Sequence, residues 1–199
     1  MMTKGLETRE RILDTAFRLA ARDGLEGLSL SALAGKLGLS KSGLFAHFTS
    51  KEELQLEMLR VASEKFVEQV MAPAFKQPRG LPRLRALFGN WLRWATDPKL
   101  PGGCVFVAAA AELDDREGPV RDYVASQQQG LLQSIARTAR ICVEEGQFRR
   151  DLDVDQFAFD IVAIYLAFHH THRLLRDPRA DQRARRACAR LVEDAATRQ

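Results

Sequence analysis

Apolar residues recur at the spacing of an α-helix along almost the whole chain, and no stretch sustains the two-residue alternation of a β-strand. The first such segment, Thr8–Asp23, places its apolar side chains on one face and stops at Gly24. Longer helical segments follow Pro78 and are separated by short stretches that contain Gly or Pro. The sequence shows no internal repeat. This pattern predicts an all-α protein built as a bundle of helices.

Composition narrows the class of protein. The 199 residues are 46% hydrophobic, which is enough for a buried core and excludes a disordered chain. The net charge of +4 is compatible with a nucleic-acid partner without proving one. The longest apolar stretches, Cys104–Ala111 and Ile161–Phe168, are eight residues each, whereas a bilayer span needs roughly 20. The N-terminus has no apolar targeting core. We therefore expect a cytoplasmic protein without a membrane partner.

Three helices are predicted within the first fifty residues. Ser29 is a candidate N-cap for a second helix at Leu30–Leu37, and Ser40 is a candidate N-cap for a third at Lys41–His47. The linking stretch at 37–40 is short and contains a glycine, as a helix-turn-helix requires. Short helix–turn–helix units also occur in proteins that never bind DNA, so this pattern alone leaves an interaction module open.

The fourth helix begins with the capping-box pattern Ser50-Lys-Glu-Glu53 and is expected to end at Pro73. We predict a helix-turn-helix DNA-binding domain at 1–50 and a larger helical domain at 51–199, which starts with one long helix at 51–71. Residues 1–51 hold eight Lys and Arg against five acids. Hydroxyl, ammonium and backbone N–H groups at helix starts suit phosphate oxygens. The candidate DNA contacts are Ser29, Ser31, Ser40, Lys41, Ser42, His47 and Lys51.

Three segments match one known pattern in order and spacing. They read Thr-Arg-Glu-Arg-Ile-Leu-Asp-Thr-Ala at 8–16, Ser-Leu-Ser-Ala-Leu-Ala at 29–34 and Leu-Ser-Lys-Ser-Gly-Leu-Phe-Ala-His-Phe-Thr-Ser-Lys-Glu-Glu-Leu at 39–54. This block resembles the DNA-reading head of the tetracycline-repressor (TetR) family. The resemblance implies a homodimer, each subunit having a three-helix head at 1–50 and a helical regulatory and dimerisation domain at 51–199. In that second domain, 51–71 would be the connecting helix and the rest would bind a small-molecule inducer. Beyond residue 70 the resemblance is looser and rests on segments such as 102–106 and 146–149.

The resemblance also assigns roles by position. His47 and Lys51 match phosphate-contacting positions, and residues 41–43 match the groove-facing start of the recognition helix. Phe45 stands where the family usually has a Tyr, so a hydroxyl that reaches a phosphate is missing. Gly43 replaces the Thr or Ser of many members and removes one side-chain contact. The implied function is a ligand-responsive repressor that leaves a palindromic double-stranded operator when an inducer binds, although the sequence leaves an activator open.

Aromatic residues of the C-terminal part are candidates for an inducer pocket, although core packing is their default role. The predicted pocket residues are Trp91, Phe106, Tyr123, Phe157 and His169. Dimerisation is expected to use the last two helices of each subunit in a four-helix bundle, because their apolar stripes are generous for a monomer. The predicted interface residues are Ile161, Tyr165, Phe168, Leu191 and Val192.

The sequence gives little support for metal binding, redox sensing or catalysis. His169 and His172 share a helix face, but no acid or cysteine lies one turn away, so we predict no metal site and no cofactor. Cys104, near a helix start, is either a buried small side chain or an oxidant sensor. No catalytic triad or phosphate-binding glycine loop is present. The acids from Glu112 to Glu117 suit a surface turn. We predict that the protein is not an enzyme.

Overall fold

The computed structural model describes residues 4–100 and 102–197. The helices are α1 (Lys4–Asp23), α2 (Leu30–Leu37), α3 (Lys41–Phe45), α4 (Lys51–Phe66), α5 (Ala72–Phe75), α6 (Leu81–Thr96), α7 (Val105–Leu113), α8 (Pro119–Glu144), α9 (Val154–Arg173) and α10 (Ala180–Ala195). A π-helical turn at Val67–Met71 joins α4 to α5. Within the described residues, β-structure is limited to one isolated antiparallel bridge between Phe148 and Ala196. The prediction of an all-α fold is confirmed.

The chain forms two compact units. The first unit contains the described residues up to Phe66 together with Asp97–Gln127, and the second contains Val67–Thr96 and the described residues from Gln128 onward. Chain order alone does not give this grouping, because α7 packs on α1. The domain boundary at residue 50 stays a prediction. None of the described helices combines the length and the apolar character that crossing a membrane requires.

The first unit is organised around α1, which packs against α2, α4 and α7. Ile12 and Phe17 of α1 and Leu54 and Met58 of α4 are almost fully buried. Burial of side chains of this size contributes roughly 1.5–3 kcal/mol each relative to exposure. These buried side chains hold α1 and α4 together within the first unit.

In the second unit, α9 packs against α10 and α6. The start of α9 is fixed by Asp153, whose Oδ1 accepts hydrogen bonds from the N–H groups of Asp155 and Gln156. Phe157 and Phe148 pack at a centroid distance of 5.3 Å. Aromatic side chains of α9 therefore supply much of this core.

The expected helix end at Pro73 is wrong. Helical structure changes to the π-turn after Phe66 and then continues as α5 to Phe75. Pro73 lies at the start of α5, where a residue without an N–H is tolerated because first-turn N–H groups have no partner within the helix.

Candidate nucleic-acid interface

The start of α2 is exposed and capped as predicted. Ser29 Oγ accepts a hydrogen bond from the N–H of Ala32 at 3.3 Å. The Ser29 and Ser31 side chains both lie at the surface. Because one of the four free N–H groups of the first turn is satisfied by Ser29, the helix is stabilised while its remaining polar groups face solvent.

Gly38 makes the tight turn between α2 and α3. Its φ of +66° lies in the left-handed region, which favours glycine. The next N–H, that of Leu39, donates to the carbonyl of Ala34 at 2.9 Å and closes the C-terminus of α2. The chain therefore reverses within the few residues that a helix-turn-helix allows.

Helix α3 presents its first residues to solvent. Ser40 Oγ accepts the N–H of Gly43 at 3.0 Å and lies 3.0 Å from Ser42 Oγ. Lys41 and Ser42 have exposed side chains, whereas Leu44 is 1% exposed and anchors the helix. The helix ends at Phe45, two residues earlier than predicted. The arrangement gives a short, anchored helix with a polar and basic start.

Gly43 and Phe45 depart from the family pattern in ways that the structure explains locally. A Cβ on Gly43 would lie 3.2 Å from Ser40 Oγ, so a side chain there would press on the cap of α3. Phe45 is 44% exposed, although it is apolar. The exposed surface of α3 therefore consists of the polar side chains of Lys41 and Ser42 and the apolar ring of Phe45.

The start of α4 is capped more elaborately than the sequence predicts. Ser50 Oγ accepts the N–H of Glu53, as expected for a capping box. Glu53 Oε2, however, accepts from the N–H and the hydroxyl of Thr49, at 2.7 and 2.6 Å. The hydrogen bond from the Thr49 side chain, followed by that from its backbone, lowers the pKa of the Glu53 carboxyl. The Glu53 carboxylate is therefore bound by Thr49, the residue that precedes the capping residue Ser50.

Lys51 and His47, the two predicted phosphate-contacting side chains, are both half-buried. Lys51 Nζ donates a hydrogen bond to the backbone carbonyl of Glu26 at 3.2 Å. An ammonium group has three donors, so this contact orients Lys51 and still leaves donors for another acceptor. Lys51 is thus a positioned cation at the start of α4.

The loop between α1 and α2 is held by side chains that sequence analysis did not assign to this interface. Gln55 of α4 donates to the carbonyl of Leu25 at 3.0 Å. Glu112, interpreted from sequence as part of a surface turn, accepts the N–H groups of Leu25 and Glu26. No local pattern links residues 87 positions apart. The only available signal was an acid in the last turn of a helix, where the helix dipole disfavours it.

The five predicted pocket residues belong to different units. Phe106 and Tyr123 lie in the first unit, whereas Trp91, Phe157 and His169 lie in the second. Burial raises the pKa of the Tyr123 phenol, although a hydrogen bond from Ser63 acts in the opposite direction. Phe157 lines a cleft of about 130 Å³ with Gln156, Asp160 and Leu191, among others. The shared pocket stays a prediction.

His169 has an unusual environment. Its Nε2 atom is buried and has no hydrogen-bond partner among the described residues. Burial, followed by the nearby charge of Arg173, lowers the pKa of His169 to about 4. The side chain is therefore a neutral imidazole at neutral pH, set beside the Tyr165 ring at a centroid distance of 6.2 Å.

The structure places most of the predicted dimer-interface residues inside the subunit. Ile161, Tyr165 and Phe168 are at most 2% exposed and Val192 is 6% exposed, while Leu191 is half-buried. The four buried side chains lie where α9 packs on α10 and α6, so they are not available to a partner subunit. The outward face of α9 carries other apolar residues, namely Phe159, Ala163, Leu166 and Ala167.

Comparison with known proteins agrees with this geometry. Residues 12–58 match a family model described as bacterial regulatory proteins of the tetR family. Residues 80–188 match a model described as a tetracyclin repressor-like C-terminal domain. The helix-turn-helix regulator YerO of Bacillus subtilis is 40% identical over 50 residues, which cover 25% of this chain and 17% of YerO. The chain thus matches well under half the length of such curated relatives.

Solved structures extend the likeness over the whole chain. A TetR transcriptional regulator from Chloroflexus aurantiacus has a TM-score of 0.86 and 28% identity, with 96% of both chains covered. AibR, solved with isovaleryl coenzyme A and operator DNA, has a TM-score of 0.77 over 93% of this chain and 98% of its own. At 22% identity, the likeness to AibR shows the fold alone. The C-terminal family match alone covers more than half of the 199 residues, and we conclude that this chain belongs to the TetR family of transcriptional regulators.

Proposed function

We propose that the protein is a ligand-responsive repressor that binds a palindromic operator as a homodimer and releases it when a small molecule binds. The observation that carries the proposal is the start of α3, where the exposed Lys41 and Ser42 side chains project from a capped and anchored helix. Such a helix fits the major groove, in which residues near its N-terminus reach the bases first. A Lys can donate to guanine O6 and N7, and a Ser hydroxyl can either donate to or accept from a base edge.

Dimer formation is supported by the outward face of α9. Phe159 is 63% exposed and Leu166 is 45% exposed, and Ala163 lies between them on the same face. A contiguous apolar helix face is a common protein contact surface. A second copy of the chain is the occupant proposed here, because one head is too small to supply both affinity and specificity. Two heads would read half-sites about one DNA turn apart, or a multiple of that spacing.

Ligand control is supported by the second unit. The Nε2 atom of His169, buried beside the Tyr165 ring, has no hydrogen-bond partner among the described residues and is a candidate polar contact for a ligand. The crystal structure of AibR with isovaleryl coenzyme A and operator DNA shows that one protein of this fold can bind both kinds of partner. An inducer releases DNA only if it binds more tightly to a conformation with wrongly placed heads.

Selection from a random pool of duplex DNA tests the proposal directly. The full-length protein should enrich a two-fold-symmetric sequence, and Lys41→Ala or Ser42→Ala should change the preferred bases. Lys51→Ala should instead weaken binding to all sequences and reduce the slope of log affinity against log salt by about one unit. Lys76→Ala, an equal charge change at an exposed residue of the second unit, is the control and should keep the wild-type slope.

Two results would contradict the DNA-binding part of the proposal. One is the failure of the wild-type protein to enrich any symmetric sequence. The other is an unchanged base preference in both α3 variants. For the ligand part, native mass spectrometry of the purified protein should detect a bound small molecule whose addition lowers operator affinity. A bound molecule that leaves operator affinity unchanged would separate ligand binding from regulation.

A further inference from the structure

The carboxylate of Glu112, in α7, accepts hydrogen bonds from two backbone N–H groups just after the end of α1. Glu112 Oε1 accepts the N–H of Leu25 at 3.1 Å, and Glu112 Oε2 accepts the N–H of Glu26 at 2.8 Å. Gly24, with a φ of +80°, turns these successive N–H groups toward the same side. Concave arrangements of backbone N–H groups of this kind bind anions. In this protein the anion is part of the chain itself.

Two glycines allow α7 and its preceding loop to approach α1 this closely. A Cβ on Gly24 would overlap the Glu112 carboxylate. A Cβ on Gly102 would overlap the backbone carbonyl of Ala21. Glu112 itself lies in the last turn of α7, where the helix dipole disfavours a negative charge. The contact with the α1–α2 loop offsets that cost and accounts for an acid at this position.

The same loop is held from the other side by α4. Gln55 Nε2 donates to the Leu25 carbonyl, and Lys51 Nζ donates to the Glu26 carbonyl. Leu25 and Glu26 are thus each held on both sides. Glu112 accepts their backbone N–H groups, and side chains of α4 donate to their backbone carbonyls. An ion pair between Arg116 and the Glu26 side chain, at 2.6 Å, adds a further contact to the loop.

We propose that Glu112 is a positioning residue for Lys51. By holding the N–H groups of Leu25 and Glu26, Glu112 restrains the backbone of Glu26 and so the carbonyl that accepts one donor of the Lys51 ammonium. The remaining donors of Lys51 then point to a DNA phosphate. This inference rests on the proposed function, in which Lys51 contacts the DNA backbone. It also gives α7 a direct route to DNA affinity, because a displacement of the end of α7 releases the carbonyl that orients Lys51.

The direction in which one substitution changes operator affinity separates this role from a simple effect of charge. Glu112→Gln is nearly isosteric, but its amide N–H₂ faces a backbone N–H and loses at least one of the two hydrogen bonds. Removing a negative charge should by itself strengthen attraction to DNA. We expect operator binding to weaken instead, by about tenfold, as the loss of a hydrogen bond to a charged group would predict. Glu117→Gln, the same charge change at an exposed carboxyl, is the control and should bind as tightly as the wild type or slightly tighter.

A second variant and a double mutant complete the test. Glu112→Asp keeps the charge but shortens the side chain, so it should also weaken binding. Adding Glu112→Gln to Lys51→Ala should cause no further loss, because the two residues act through one contact. Hydrogen exchange at the Leu25 and Glu26 amides should accelerate in both Glu112 variants, and circular dichroism should show that they are folded at the assay temperature.

The possible failures are distinguishable. If wild-type protein binds its operator and Lys51→Ala lowers the salt slope, but Glu112→Gln and Glu112→Asp bind like the wild type, only the role of Glu112 is overturned. An equal loss from Glu112→Gln in the wild-type and Lys51→Ala backgrounds also overturns it, since Glu112 would then act by another route. If the wild-type protein enriches a symmetric sequence but Lys51→Ala keeps the wild-type salt slope, Lys51 makes no phosphate contact, so the role of Glu112 fails while the repressor proposal stands.

Discussion

The indole ring of Trp91 lies nearly parallel to the phenol ring of Tyr165, with centroids 3.7 Å apart and 14° between the ring planes. Both side chains are buried, and the stack joins α6 to α9 within the second unit. Tyr165 also contacts the ring of Phe168 at a centroid distance of 6.1 Å. The sequence placed Trp91 in a ligand pocket and Tyr165 at a dimer interface, whereas the two rings pack on each other.

Trp91→Ala should therefore lower the free energy of unfolding by about 3–5 kcal/mol, because it removes a buried aromatic ring and leaves a cavity. Trp91→Phe, which keeps one ring against Tyr165, should cost clearly less. Urea denaturation followed by circular dichroism measures both values. A loss below about 1 kcal/mol for Trp91→Ala would show that the indole is not part of the core.

Leu166→Asp should convert the dimer into monomers at micromolar concentration. The outward position of Leu166 on α9 means that the change puts a charge into the proposed interface without disturbing the core of the subunit. Analytical ultracentrifugation measures the oligomeric state, and DNA affinity should fall with dimer loss. Leu6→Asp, at a residue of α1 that is similarly exposed, is the control and should remain dimeric. A dimeric Leu166→Asp protein would move the interface away from this face.

Stability should fall as the pH drops from about 6.5 toward 4, in part because of His169. The folded state holds His169 neutral with a pKa of about 4, whereas the unfolded chain titrates near 6.5, so acid favours the unfolded state across this range. His169→Gln should flatten the dependence of unfolding free energy on pH in that window. Equal slopes in wild type and His169→Gln would contradict the buried neutral imidazole.

Gly130→Ala should raise the free energy of unfolding by about 0.5–1 kcal/mol, since glycine is costly inside a helix. Gly130 lies exposed within α8, and a Cβ there meets no atom within 4 Å. Gly24→Ala should have the opposite effect, because its left-handed backbone and the Glu112 carboxylate both oppose a side chain. Thermal unfolding of the two variants tests this contrast. Destabilisation by Gly130→Ala would indicate a contact that the isolated chain does not contain.

The helix-turn-helix could be predicted because its determinants are local. Ser29, Ser40 and Ser50 cap helices through bonds that span three residues, and Gly38 supplies the left-handed turn at its own position. Such interactions are encoded by residue type and spacing within one turn of chain. The later helices are likewise separated by short stretches that contain Gly or Pro, as the sequence predicts.

The sequence by itself determined that the chain is all-helical, that α3 starts at Lys41, and which family pattern the chain follows. It did not determine which side of α9 faces inward, because that helix is apolar nearly all round, and only its packing on α6 and α10 buried Tyr165 and left Phe159 exposed. The contact of Glu112 with the peptides of Leu25 and Glu26 was also decided by tertiary structure alone. A backbone N–H carries no residue-specific signal, so its distant partner is fixed only when the helices pack.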